Sequence, residues 1–324
     1  MPYSDQVLRR ARARLAAARA NRDQENDRRI AAIYDAHPRL REIDRQLRAT
    51  VAQVMTAAFR RGEDPTQTVE QMRKANLELQ RERAWILESE GIDESDLKAE
   101  PICAVCGGTG YVGERMCECL AELCRQEQKK ELSSLLSGNE RFDAFRLDLY
   151  PDMEDANLGG YSPRAIMRHV YERCRRYAAE FSVQSPSLLL SGGTGLGKTF
   201  LSAAIARTVA DGGYAVVYET AGQVFSDFEA EKFGGSGHGT AKYLHCDLLI
   251  LDDLGTEMTT QFTLSALYSL VNGRLMAGRP TIISTNLTTS EIRQRYTPQI
   301  ASRLLGTYEL LLFAGNDIRL LKKT

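Results

Sequence analysis

The chain has 324 residues, of which 26% are charged, and a formal net charge of -1. That length exceeds one small core and points to two or three folding units. The near-neutral balance excludes a global affinity for polyanions, so any nucleic-acid contact must be a local patch. The opening residues, Met1 to Asp5, lack the charged and apolar regions of a secretory signal. No run of about 18 apolar residues is present, which argues against a membrane span. The expected location is cytoplasmic, with no membrane partner.

Residues 1–90 read as helix almost throughout. Residues 4–34 are rich in Arg and Ala, and Pro38 fits the first turn of a second helix. From there Leu40, Ile43, Leu47, Val51, Val54 and Ala58 step by three or four residues into one apolar stripe. Arg61 to Pro65 reads as a turn, and Val69, Met72, Leu79 and Ile86 form a second stripe. Two stripes joined by so short a turn predict an antiparallel helical hairpin. Residues 1–30 hold eight Arg against four acids. This local excess is either a solvated helix face or a contact for phosphate or an acidic partner.

Residues 91–101 read as a polar linker. Beyond it four of the chain's seven cysteines crowd together at Cys103, Cys106, Cys117 and Cys119. A Cys-x-x-Cys and a Cys-x-Cys separated by a glycine-rich excursion can wrap one ion in four thiolates, and the expected metal is structural Zn2+. Reduced free cysteines or a redox pair are the alternative. Cys124 lies about one helical turn further on and is able to replace Cys119. Cys174 and Cys246 stand alone and read as buried small side chains.

Residues 120–150 read as a helix followed by an irregular aromatic stretch, and Ser162-Pro163 opens a further helix. Leu188–Ser191 is a short apolar run. Gly192, Gly193, Thr194, Gly195, Leu196, Gly197, Lys198 and Thr199 then match Gly-x-x-x-x-Gly-Lys-[Ser/Thr], and helical periodicity follows up to Gly212-Gly213. In such a loop glycines let main-chain N–H groups face phosphate oxygens. Lys198 neutralises the β- and γ-phosphates, and the Thr199 hydroxyl ligates Mg2+. The expected ligand is a nucleoside triphosphate, with ATP and Mg2+ as the pair.

A second strand is expected at 215–219, then a helix from Gln223 to Phe233 and a glycine run at 234–239. Next, Asp247 to Asp253 places four apolar residues before two acids. Asp252 at the strand's carboxyl end suits Mg2+, and Asp253 suits activation of the attacking water. Thr263–Ala277 reads as an amphipathic helix. Pro280 to Asn286 is another buried strand, whose final Asn286 is placed either to reach the γ-phosphate or to cap the next turn. A short helix around 300–305 and a last strand at 310–313 complete the pattern.

The P-loop, the Leu-Asp-Asp-Leu-Gly after the third strand, the Ile-Ser-Thr-Asn ending at Asn286 and the Ser-Arg-Leu around Arg303 together resemble AAA+ ATPases that load the bacterial replicative helicase, the DnaC/DnaI type. The resemblance runs from about Phe142 to Arg319. The cysteine segment also looks like the one preceding the ATPase in loaders of Gram-positive bacteria. It implies an α/β fold: a P-loop AAA+ core with a parallel sheet sandwiched by helices, preceded by a helical hairpin region and a small zinc-binding module. The implied division is 1–95 helical and partner-binding, 96–125 zinc module, 126–160 linker and 161–324 ATPase.

By the same resemblance Asn286 matches sensor 1 and Arg319 the sensor 2 arginine, contacting the γ-phosphate in its own subunit. Arg303 matches the arginine finger supplied to a neighbouring subunit, with Arg295 close by in sequence. Asp253 stands where many AAA+ relatives carry Glu, which implies slow hydrolysis. The implied function is ATP-dependent helicase loading in DNA replication, with the replicative helicase, single-stranded DNA and self-assembly as partners. The family's DNA-binding helix corresponds to Gln223–Phe233. Two competitors stay open: a transposition-helper ATPase acting with a transposase, and a nucleotide-switched adaptor without appreciable hydrolysis.

Overall fold

The computed structural model describes residues 3–58, 66–135, 139–234 and 239–321. The expected turn at 61–65 and most of the glycine run 234–239 lie outside the described residues, as do the side chains of Val51, Val54, Ala58 and Val69. Two compact units divide the chain: Ala13–Cys119, and Leu120–Thr324 together with Met1–Arg12. Among the described residues no helix is long and apolar enough to cross a membrane.

Helix α1 (Asp5–Ala36), which belongs to the first unit from Ala13 onward, is followed by α2 (Pro38–Ala58) and α3 (Thr66–Glu90). The two stripes meet as expected: Leu40 and Ile43 of α2 and Ile86 of α3 are buried in one cluster with Leu47 and Leu79 at its margin. Each such side chain contributes about 1.5–3 kcal/mol by leaving water. The start of α2 lies beside the end of α3, where Arg39 makes a bidentate pair with Glu82 at 2.6 Å. Deeper in, Asp44 accepts from Arg83 and from the Tyr34 hydroxyl, both at 2.6 Å. The hairpin is therefore antiparallel.

The polar run after α3 is not a loose tether. Ile92 and Leu97 pack on the hairpin cluster, and Asn26 donates to the Glu100 carbonyl at 2.9 Å. Asp93, Glu94, Lys98 and Glu100 are exposed, while the two apolar residues anchor the run. After it come β1 (Tyr111–Val112) and β2 (Arg115–Met116), an antiparallel pair within the cysteine segment.

The second unit continues through α4 (Glu118–Leu135), α5 (Pro163–Ala179), β3 (Leu188–Ser191), α6 (Lys198–Asp211), β4 (Val216–Thr220) and α7 (Ala221–Lys232). It ends with α8 (Ala241–His245), β5 (Leu248–Leu254), α9 (Gln261–Met276), β6 (Thr281–Thr285), α10 (Thr289–Arg295), α11 (Pro298–Gly306), β7 (Glu309–Leu312) and α12 (Ile318–Leu321). The five strands β3 to β7 form one parallel sheet in the order β4-β5-β6-β3-β7. They are near-continuously apolar because both faces are covered. Leu188, Leu190, Leu248 and Ile250 pack on α5 and α6, while the alternate residues Leu189, Leu249 and Leu251 pack on α7, α9 and α11. This is the α/β sandwich expected from the sequence.

Two strand ends show how the sheet is finished. Gln128 of α4 donates its side-chain amide to the Val216 carbonyl, capping the β4 edge. Arg274 of α9 is fully buried and donates to carbonyls of Tyr243, Cys246 and Pro280 and to the Thr281 hydroxyl. It thereby ties α8 to the amino ends of β5 and β6.

Candidate active site

In a parallel sheet, ligands bind outside the carboxyl ends of the strands. Here β6 lies between β3 and β5, so the P-loop, Asn286 and the two acids leave three neighbouring strands side by side. The loop itself depends on glycine at two points. Gly195 and Gly197 have φ of 72° and 87°, in the left-handed region. A Cβ on Gly195 would fall 1.7 Å from Asp317 Oδ1, and one on Gly197 would crowd Phe145 and the Tyr150 hydroxyl at 3.1 Å. Tyr150 donates to the Leu196 carbonyl at 2.8 Å, and the Ile318 amide donates to the Gly195 carbonyl at 3.1 Å.

Lys198 opens α6 and is buried, with its ammonium donating to the carbonyls of Gly192 at 2.6 Å and Gly193 at 2.7 Å and to Asn286 Oδ1 at 2.6 Å. These partners are all neutral oxygens. Burial lowers its pKa, against the opposing pull of Asp253 and Asp252. A desolvated cation with neutral neighbours suits an incoming anion. Thr199 Oγ1 lies 3.4 Å from Asp252 Oδ1, so a hydroxyl and a carboxylate, hard oxygen donors that fit Mg2+, stand together.

Asp252 is buried and accepts from the Tyr218 hydroxyl at 2.7 Å and from the Ser284 hydroxyl. The strand does not end cleanly at the acids. Leu251 pairs with Ile283 and Leu254 with Thr285, so Asp252 and Asp253 together face the single residue Ser284. This is a β-bulge. Asp253 has φ 56°, the one positive value among the described non-glycine residues. Burial and the Asp252 charge raise its pKa. Asp253, Lys198, Thr199, Asn286 and Arg319 line a common cavity of about 600 Å³, with Phe145, Leu149 and Tyr150 as an apolar wall. That volume is in the usual range for small-molecule sites.

Arg303 lies away from this cavity. Its guanidinium donates to Asn272 Oδ1 at 3.0 Å and to the Tyr268 hydroxyl at 3.2 Å, and stacks over the Tyr268 ring at 4.7 Å. Arg295 is engaged with the Glu257 carbonyl. Arg319 sits on α12, largely exposed, at the cavity rim.

In the first unit the sulfurs of Cys103, Cys106, Cys117 and Cys119 lie within 4.8 Å of one another, with Cys103–Cys117 at 3.8 Å and Cys106–Cys119 at 3.4 Å. Tetrahedral bonds of about 2.3 Å require sulfurs about 3.8 Å apart, so the set fits Zn2+. Burial opposes ionisation of Cys106, yet the Gly110 amide and neighbouring thiols bring its pKa down to about 6. Cys119, not Cys124, is the fourth member of this cluster. Cys124, Cys174 and Cys246 are buried single thiols.

Sequence reasoning passed over Tyr218, Ser284 and the Phe145–Tyr150 wall. Tyr218 and Ser284 look like ordinary strand residues until register sets them beside Asp252. The aromatic run 142–150 matches no motif.

The fold and the loop geometry define an α/β domain with a P-loop between β3 and α6. Residues 175–323 match the model of the family described as "IstB-like ATP binding protein". The replicative helicase loader DnaC of Escherichia coli (strain K12) is 26% identical over 152 residues, covering 45% of this chain and 62% of DnaC. The chain thus spans less than two thirds of that relative's length. The chromosomal replication initiator protein DnaA of Aliarcobacter butzleri is 34% identical over 141 residues, 42% of this chain and 31% of DnaA. A crystal structure of the DnaC helicase loader aligns with a TM-score of 0.46 at 18% identity, covering 54% of this chain and 97% of the other.

Proposed function

We propose that the chain is an ATP-dependent loader of the replicative DNA helicase. The observation that carries this reading is the convergence of Lys198, Asp253, Asn286 and Arg319 on one cavity, in a domain similar to DnaC. Residues 192–199 would cradle the triphosphate, and Lys198 would exchange its neutral partners for phosphate oxygens. Mg2+, held by Thr199 and Asp252, would supply charge neutralisation at the β- and γ-phosphates. Asp253 takes a proton from the attacking water, which Asn286 helps to orient. Arg319 meets the γ-phosphate from the rim, and Arg303 serves the nucleotide of a neighbouring copy.

In this reading residues 1–95 and the zinc module 96–125 grip the helicase, 126–160 link them to the ATPase at 161–324, and the ATPase assembles on single-stranded DNA. A second reading, a transposition helper acting on duplex DNA, is favoured by the family match at 175–323. The four-cysteine module speaks for the loader. The test is ATP turnover measured with single-stranded DNA, with duplex and with neither, alongside co-purification with the replicative helicase. Stimulation by single strands and helicase capture support the loader. Duplex preference supports the transposition helper, and no hydrolysis under any condition supports an adaptor.

A further inference from the structure

Ser284 is fully buried on β6, two residues before Asn286. Its hydroxyl makes two contacts with different parts of the facing strand. It donates to Asp252 Oδ1 and accepts the main-chain N–H of Asp253 at 3.0 Å. One side chain therefore fixes the carboxylate of the first acid and the backbone of the second.

The bulge explains why this matters. Along β5, Leu249 and Leu251 face the layer of α7, α9 and α11, and strict alternation would send residue 253 there too. Leu254 takes that place instead. Asp253 is the extra residue, and it lines the cavity beside Lys198. Its left-handed backbone, φ 56°, is one that L-residues other than Asn and Asp rarely adopt. The N–H of an extra residue also has no ladder partner; Ser284 supplies one. Tyr218 braces the other Asp252 oxygen at 2.7 Å and itself lies 3.3 Å from the Ser202 hydroxyl.

We propose that Ser284 is a positioning residue that holds the bulge and so sets the reach of the Asp253 carboxylate. The assignment rests on the hydrolysis reading above. The bulge held by Ser284 leaves Leu254 in the helix layer and Asp253 on the cavity side.

The experiment compares the full-length parent with Ser284→Ala and Ser284→Thr. Three quantities are read: ATP affinity with Mg2+, turnover under the best-stimulated condition, and amide hydrogen exchange in the peptide containing Asp253. Ser284→Ala should lower turnover about 10- to 100-fold, the scale expected of a misplaced reacting group. ATP affinity should stay within about threefold, the split expected when only transition-state geometry is lost. Exchange should accelerate at Asp253 and not across the sheet. Ser284→Thr, which keeps the hydroxyl on a strand-compatible side chain, should restore turnover and protection. If Ser284→Ala does not fold, the threonine variant decides: retained turnover and protection support the role, and loss of both overturns it. Unchanged turnover and exchange in Ser284→Ala would also overturn it, as would parallel loss of affinity and turnover in both variants. A parent that binds ATP but never hydrolyses it would instead contradict the hydrolysis reading, with exchange at Asp253 still deciding whether Ser284 holds the bulge.

Discussion

Lys198 at the start of α6 and Asn286 just beyond β6, 88 residues apart in sequence, are joined by a hydrogen bond of 2.6 Å from Nζ to Oδ1. The contact ties the cation of the P-loop to the end of the neighbouring strand. The two residues should nevertheless fail differently when removed. Asn286→Ala should keep ATP affinity within about threefold while turnover falls on the order of 10²-fold, the usual effect of deleting one oriented donor. Parallel calorimetry and steady-state kinetics check this. Equal loss of both quantities would make Asn286 a binding residue only.

Arg303 is braced by Asn272 and Tyr268, outside the cavity that holds Lys198. Arg303→Ala should leave ATP binding by the isolated chain intact and remove the assembly-dependent part of turnover, an effect on the order of 10³-fold or more. Turnover measured across a protein-concentration series separates the two. An undiminished concentration dependence would remove Arg303 from a shared site.

The four-cysteine cluster makes a prediction that discriminates between two cysteines. Purified chain should hold about one Zn2+, and Cys119→Ser should lose it while Cys124→Ser keeps it, by elemental analysis. Because protons compete for the thiolates, occupancy should fall as the solution is made acidic. Chelation should melt the module, since the metal contributes on the order of 10 kcal/mol to so small a fold. Zinc-free protein with the same melting profile would contradict the site.

Arg274 offers a test of the core. Arg274→Met would remove the buried guanidinium bonds to the Tyr243, Cys246 and Pro280 carbonyls, at a cost on the order of 3 kcal/mol. A drop of roughly 10 °C in the melting temperature is expected, without loss of the zinc site.

Features encoded locally were legible in the sequence. Gly195, Gly197 and Lys198 announce their loop because the backbone conformation restricts which residues fit. The cysteine spacing announces a metal cluster for a similar reason, and the periodicity of Leu40 to Leu47 gave the hairpin. What escaped depends on register between strands distant in sequence. Ser284 reads as one more polar residue in a strand, and only the bulge at Asp252–Asp253 makes it the partner of both acids. Tyr218 is likewise silent until β4 pairs with β5. The spacing already puts Cys119 in the four-cysteine set, and the structure leaves Cys124 outside it. Ile92 and Leu97, two apolar residues in a polar run, were too sparse to signal that the expected linker is packed.

Titration of ATP and Mg2+ into the full-length chain and into Lys198→Ala, followed by calorimetry, bears most directly on the nucleotide site. One ATP per chain should bind to the parent, with affinity reduced on the order of 100-fold in the variant, as loss of a buried charge-assisted contact requires. No heat from the parent, or equal binding by both proteins, would contradict a triphosphate held around Lys198.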